Sequence, residues 1–136
     1  MNILKQTPFS SYQVIIPMIV IMFILSGVNK ISTFEATVDS LKKHLQSMPE
    51  WFYNIAIIIV ILIEIIAPMI IINYIIYGQY KNEAYLSSIV LIVFTILATL
   101  LYHFPDFTNY KKSIPFWANI SLIGGLLLIV KIIEQN

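Results

Sequence analysis

The sequence predicts an all-α fold, a four-helix transmembrane bundle with a short amphipathic helix in its first loop. Of the 136 residues, 59% are hydrophobic and 11% are charged, whereas an average soluble domain has about 25% charged residues. Four apolar windows reach or exceed the roughly 20 residues that a helix needs to cross a bilayer. They comprise residues 12–31, 51–77, 85–104 and 114–133. Together they predict a single transmembrane domain over residues 1–136.

Isoleucine and valine dominate these windows, and both favour strands in water. The windows are nevertheless too long for ordinary strands, and they lack the alternating pattern of a membrane barrel. Hydrocarbon offers no partner for free backbone groups, so each segment must satisfy its own hydrogen bonds. Helices are therefore the predicted structure of all four windows.

Composition excludes several function classes. The net charge is +1, and the 8 basic residues, all lysines, are spread along the chain, so no basic face for a nucleic acid is expected. With 0 cysteines the chain has no disulfide or thiolate nucleophile of its own. Its 2 histidines fall on different elements without supporting ligands, so no metal site is predicted. No phosphate loop, nucleophile elbow or dinucleotide fingerprint is present.

The first window is interpreted as a retained span. Lys5 precedes it as in a secretory signal, but no small-residue cleavage site follows. The loop after it predicts a short helix, because Ser32 and Glu35 have the spacing of a capping box and Pro49 would end the run. Its apolar residues recur at helical spacing: Phe34, Val38, Leu41 and Leu45. Such a helix could lie in the headgroup layer or cover the bundle.

Four crossings place both termini on one side of the membrane. Lys5, Lys81 and Lys131 would lie on that side. The lysines on the side of the first and third loops are Lys30, Lys42, Lys43, Lys111 and Lys112. By the positive-inside rule, this distribution favours a cytoplasmic location for the first and third loops.

Glu64 is the clearest candidate functional residue, because it lies near the middle of the second span. Ionisable side chains are costly in hydrocarbon and usually face the interior of a bundle. A carboxylate at this depth needs a cation, several donors or a proton of its own. Pro68, one turn later, removes a backbone donor and frees a carbonyl at similar depth.

Further polar side chains fall towards the same end of the bundle. Lys30 lies near the end of the first span and His103 near the end of the third. We therefore predict a polar intramembrane pocket formed by Glu64, Lys30, His103, Asn29 and Thr99. Glu64 lies roughly 20 Å along its helix from the start of the span. For that reason we expect Thr99, Asn29 or water to bridge it to Lys30, rather than a direct ion pair.

Simpler structural interpretations remain open for these residues. Lys30 could anchor the end of its span by reaching to the interface. His103 could bond a backbone carbonyl there, and Glu64 could be a protonated carboxyl bonded between helices. Three small residues are predicted to permit close helix packing, namely Gly27, Gly124 and Gly125.

Several of these features resemble the DoxX-like family of small four-span membrane proteins. They are the run Ser26-Gly27-Val28-Asn29-Lys30, the amphipathic stretch ending in Met48-Pro49, Glu64 in the second span and His103 at the end of the third. The chain departs from the family at Ile65-Ile66-Ala67-Pro68, where members often carry glycines. The resemblance implies a bundle with a pocket. It does not imply a reaction, because related proteins range from a subunit of thiosulfate:quinone oxidoreductase to proteins that help membrane cargo mature.

The predicted function is that of a multi-pass integral membrane protein, in the cell membrane if the chain is bacterial. We expect a non-catalytic accessory or assembly subunit, with no catalytic residues and no required cofactor. Beyond the lipid bilayer, its expected partners are another membrane protein, a lipophilic molecule in the pocket, or further copies of the chain. One alternative is a membrane subunit of a quinone-linked oxidoreductase, with quinone as cofactor and Lys30, Glu64 and His103 as donors and proton relay. Another is a small proton-coupled transporter that depends on Glu64.

Overall fold

The computed structural model describes residues 12–136, which form five α-helices. They are α1 (Tyr12–Ser32), α2 (Phe34–His44), α3 (Glu50–Tyr77), α4 (Lys81–Tyr102) and α5 (Tyr110–Glu134). All but α2 are long and apolar enough to cross a membrane. The predicted all-α, four-span architecture with a short helix in the first loop is confirmed. Lys5, which the topology prediction placed with the termini, lies outside the described residues.

Two spans begin earlier than their apolar windows. Helix α4 starts at Lys81 and α5 at Tyr110, each four residues before the predicted boundary. The additional turns carry polar side chains such as Asn82 and Lys111. Hydropathy marks the part of a helix that lies in hydrocarbon, whereas the helix itself continues into the interface.

The predicted capping box at the start of α2 is wrong. Helix α1 continues through Ser32, so this residue ends one helix instead of starting the next. Its hydroxyl donates to the carbonyl of Asn29 at 2.9 Å. Thr33 occupies the N-cap position of α2 and makes no side-chain capping bond. Two helices thus meet almost without a linker, which the capping pattern did not anticipate.

Tyr53 holds α2 against the first turns of α3. Its hydroxyl donates to the carbonyl of Leu45 at 2.7 Å and accepts the backbone N–H of Met48 at 3.2 Å. The apolar face of α2 packs on the same region, through a buried cluster of Val38, Leu41, Tyr53 and Ile57. Because α2 lies beside the beginning of α3, α1 ends level with a deeper part of α3.

An exposed ion pair also joins α2 to α3. Lys42 donates to the carboxylate of Glu50, and this hydrogen bond raises the pKa of Lys42 above its ordinary value. Exposed pairs of this kind contribute little to stability. The apolar cluster below it therefore holds α2 in place.

The main apolar core lies in the half of the bundle that is nearer the termini. All four spans contribute buried residues to it, including Ile16, Val20, Ile71, Leu91, Leu126 and Ile129. Helix α1 packs mainly on α3, α3 also on α4, and α4 on α5, whereas contacts between α1 and α5 are sparse. At one of these contacts, the Cβ position of Gly125 faces the side chain of Ile19. Towards the first and third loops, no residue of α5 from 114 to 121 is buried.

The chain contains no cysteine, so single introduced cysteines can report its topology. We expect Gln46→Cys, between α2 and α3, and Gln79→Cys, between α3 and α4, to be labelled from opposite sides of the membrane. The reason is that one complete span separates them. A membrane-impermeant maleimide, applied to sealed vesicles before and after permeabilisation, measures this. Labelling of both positions from one side would contradict the four-span topology.

Candidate functional site

Three side chains meet between α1 and α3 in a cluster that we call the Ser-Lys-Glu triad. The ammonium Nζ of Lys30 donates to both carboxylate oxygens of Glu64, at 3.0 Å to Oε1 and 2.9 Å to Oε2. It also donates to the hydroxyl of Ser26 at 2.6 Å. That hydroxyl in turn donates to Oε1 of Glu64 at 3.1 Å. Together these contacts form a closed hydrogen-bonded network.

Helical geometry explains why Ser26 and Lys30 act together. Residues four apart lie on the same face of a helix, so both side chains point from α1 towards α3. Gly27 lies between them and allows the backbones to approach closely. A Cβ atom at this position would stand 2.7 Å from Cγ1 of Ile65 and 3.1 Å from Cβ of Glu64.

The triad satisfies its own charges and hydrogen bonds. An ammonium has three protons to donate, and the three bonds of Lys30 match that number. The side chain of Glu64 is 5% exposed and that of Lys30 22% exposed. A carboxylate in this position needs a partner, since an isolated ion in a low-dielectric interior costs several kcal/mol. Lys30 supplies the opposite charge, and Ser26 supplies a further donor.

Pro68 adds a backbone feature at the same depth. Residue i+4 normally donates to the carbonyl of residue i in an α-helix, and proline has no N–H to donate. The main-chain carbonyl of Glu64 therefore lacks its usual intrahelical donor. Helix α3 nevertheless runs unbroken from Glu50 to Tyr77.

A second polar contact joins α4 to α5. The side-chain amide of Asn119 donates to the hydroxyl of Thr99 at 3.0 Å. That hydroxyl donates to the carbonyl of Thr95, one turn earlier on α4, at 2.6 Å. Thr95 and Thr99 are both buried. This pair connects the last two spans, α4 and α5, as the triad connects α1 and α3.

The five residues predicted to form one pocket are thus divided. Lys30 and Glu64 meet, and they meet directly, where a bridged contact was expected. Thr99 bonds Asn119 and Thr95, whereas Glu64 bonds Ser26 and Lys30. Asn29 is exposed, as is His103, which caps the end of α4 through its backbone N–H. The ring of His103 makes no hydrogen bond to another described residue.

The direct ion pair follows from the depth at which α1 ends. The expected bridge assumed that α1 and α3 begin and end at the same level. Because α2 packs beside Tyr53 and Ile57, residues 26–30 lie level with the middle of α3. Lys30 can therefore reach Glu64 without a mediator.

The three glycines have different surroundings. Gly27 and Gly125 both face a side chain of a neighbouring helix. At Gly124, in contrast, a Cβ atom would meet nothing within 4 Å. Adjacent residues of a helix point about 100° apart, so Gly124 and Gly125 cannot both face α1.

Sequence reasoning did not include Ser26 or Asn119 among the candidate residues of the pocket. The sequence does place Ser26 on one helical face with Asn29 and Lys30. It also places Asn119, with Ser121, where the fourth span enters the membrane from the side of the first and third loops. Neither position reveals its partner until the neighbouring helix is known.

Comparison with known proteins identifies the family. The chain matches the family model described as "Methylamine utilisation protein MauE" over residues 9–108, about three quarters of its length. It belongs to the MauE family. The MauE match contains α1 to α4 and the whole triad, whereas α5 follows it. No curated protein and no solved structure matches the chain. With four apolar spans, this MauE protein is an integral multi-pass membrane protein.

Glu64→Gln tests the energy of the triad. The amide keeps the shape of the side chain but leaves the ammonium of Lys30 without an opposite charge. Loss of one partner from a buried pair typically costs about 3–5 kcal/mol. Lys30 is 22% exposed, so water partly solvates its charge and the cost should be smaller. We expect the free energy of unfolding to fall by about 2–3 kcal/mol. Chemical unfolding in detergent micelles, followed by circular dichroism, measures it.

The matched control is Glu83→Gln. Glu83 is exposed in the first turn of α4, so the same chemical change there should leave stability close to that of the wild type. Equal stability of Glu64→Gln and the control would show that the ion pair does not hold α1 to α3.

A second matched pair tests the close approach of the helices. We expect Gly27→Ala to destabilise the protein by about 1–3 kcal/mol, because the added methyl group overlaps Ile65 and crowds Glu64. Gly124→Ala adds the same methyl group where space is open, so it should cause no loss. Thermal unfolding of both variants in one detergent compares them. A fully stable Gly27→Ala would mean that the two backbones can separate at no cost.

Proposed function

We propose that this MauE-family protein is a non-catalytic accessory subunit that assembles with another membrane protein. The observation that carries the proposal is the closed state of the Ser-Lys-Glu triad. The ammonium of Lys30 bonds the carboxylate of Glu64, and the hydroxyl of Ser26 bonds both groups. Groups used in this way hold helices together instead of meeting a substrate.

A reaction on a bound molecule would require a different arrangement of these residues. A general acid or base must come within hydrogen-bond reach of the reacting group. Lys30 and Glu64 are bonded to each other and to Ser26, and His103 lies exposed at the end of α4. The three residues expected to bind a quinone headgroup therefore do not form one site, because His103 lies apart from Lys30 and Glu64. This arrangement supports a structural role for the polar residues.

The family description supports the same proposal. "Methylamine utilisation" names a pathway and not a reaction, as suits a protein that assists other components. We propose that the partner is a membrane-bound or membrane-attached component of a pathway of that kind. The finer assignment to the DoxX-like family remains a prediction from sequence, and it suggests the same accessory role.

Replacement of the ion pair by apolar residues tests the proposal. In a strain that lacks its own copy of the protein, Glu64→Gln should lower the membrane level of the protein and its associated function together. The double variant Lys30→Met/Glu64→Leu should restore both, because apolar replacement of a buried ion pair is often neutral or stabilising. Quantitative blotting and the phenotype of the strain measure these effects.

The double variant also separates the accessory role from the alternatives. A redox enzyme or a proton-coupled transporter would need the ionisable groups themselves. If the double variant accumulates at the wild-type level but fails to restore function, the accessory proposal is wrong. Proteins that crosslink to the functional double variant, and equally to the wild type, would be the candidate partners.

A further inference from the structure

The third loop, residues 103–109 between α4 and α5, presents aromatic side chains outwards. Phe104 and Phe107 in the loop, and Tyr110 directly after it, are 72%, 78% and 79% exposed. No other large hydrophobic residue in the described part of the chain is as exposed as these three. Asp106, between the two phenylalanines, is less exposed than either. A loop surrounded by water normally has the opposite arrangement, with polar side chains outwards and large apolar ones covered.

The polar groups of the loop are bonded to one another. The carboxylate of Asp106 accepts the hydroxyl and the backbone N–H of Thr108. Its main-chain carbonyl accepts the N–H of Asn109 at 3.1 Å. The side chain of Asn109 in turn accepts the N–H of Lys111 and caps α5. Because these groups have partners within the chain, the turn depends little on hydrogen bonds from water.

Ser113 fixes the depth of this turn. Its side chain is buried, and its hydroxyl donates to the main-chain carbonyl of Asp106 at 2.6 Å. The turn therefore lies beside the beginning of α5 instead of projecting beyond it. The next residue, Ile114, begins the apolar part of α5. Phe104 and Phe107 are at most two residues from Asp106, so they lie close to the depth at which hydrocarbon begins.

The contact between Asn119 and Thr99 gives the same depth for Phe104. Phe104 follows Thr99 by five residues, and Ile114 precedes Asn119 by five. At about 1.5 Å per residue, both lie roughly 7 Å from this contact and on the same side of it. Ile114 is 50% exposed on the surface of its span, where it faces lipid. Phe104 thus continues the lipid-facing surface of the bundle.

We propose that the third loop inserts into the membrane surface, with Phe104 and Phe107 at the boundary between lipid headgroups and acyl chains. The bilayer is the partner that this surface fits, because both rings lie near the depth of Ile114 and continue the exposed apolar surface of the spans. Apolar and aromatic side chains of surface-bound segments bury at this boundary. The site is separate from the triad and does not depend on the proposed function.

Insertion of the loop supports a part of the bundle that has little buried surface. No residue of α5 from 114 to 121 is buried. On the same side of the membrane, α2 is held by protein, through the apolar cluster that contains Tyr53. The third loop is held by lipid instead, and it anchors the end of α4 and the beginning of α5 in the headgroup layer.

Single tryptophans test the depth of the loop. The two native residues, Trp51 and Trp117, are first replaced by phenylalanine. Phe107→Trp then reports the loop. Lys43→Trp is the matched control, because Lys43 is exposed and lies on the face of α2 opposite to its buried side chains. Both variants are reconstituted at low protein density in phosphatidylcholine vesicles, and the quenchers are aqueous iodide and bromine near the carboxyl end of the acyl chains.

Brominated lipid should quench Phe107→Trp about twofold or more strongly than Lys43→Trp, as expected for a ring at the acyl-chain boundary. Iodide should quench the two variants in the opposite order, because it remains in water. The introduced residue is the same in both, so the affinity of tryptophan for interfaces cannot by itself produce this difference. Phe104→Trp provides a second reporter of the loop and should behave as Phe107→Trp does.

Two results would overturn the proposal. Equal quenching by iodide in the loop and at position 43 would place the loop in water. If neither quencher reaches the loop, then the chain itself or a second copy covers the rings, and not lipid. Dilution of the protein in the vesicles distinguishes these two cases, because only contact between copies weakens with dilution.

Discussion

The bundle depends on one ion pair in a place where charge is expensive. Glu64 lies at the middle of the longest and most apolar span, and hydrocarbon would penalise it strongly without a partner. Lys30 removes that penalty only if α1 lies at the right depth and orientation beside α3. The cost of separating the pair thus fixes both the rotation and the vertical position of α1. Few apolar contacts could do so, because aliphatic side chains pack against lipid almost as well as against each other.

The short helix α2 sets the depth at which this pairing can form. By packing beside Tyr53 and Ile57, it fills the space next to the first turns of α3 that a longer α1 would otherwise occupy. Tyr53 secures the loop that follows, through its bonds to Leu45 and Met48. The amphipathic helix and the triad are therefore parts of one arrangement, and both fall within the residues that match the MauE family.

The number and approximate bounds of the spans could be predicted from sequence, because the length of an apolar run is a local property. Glu64 and Lys30 could each be selected from their position in a span. Their contact could not be predicted, since it depends on how far α1 is displaced along α3 by the packing of α2. Asn29 was grouped with Lys30, but adjacent residues point about 100° apart on a helix, and Asn29 is exposed.

Closure of the triad affects how the protein responds to an electric field. A transmembrane potential acts on each elementary charge with about 2.3 kcal/mol per 100 mV across the full membrane. Lys30 and Glu64 carry opposite charges 2.9 Å apart, so the forces on the two nearly cancel. The pair therefore adds almost no net charge to the intramembrane part of the protein, and a transmembrane potential exerts almost no net force on it.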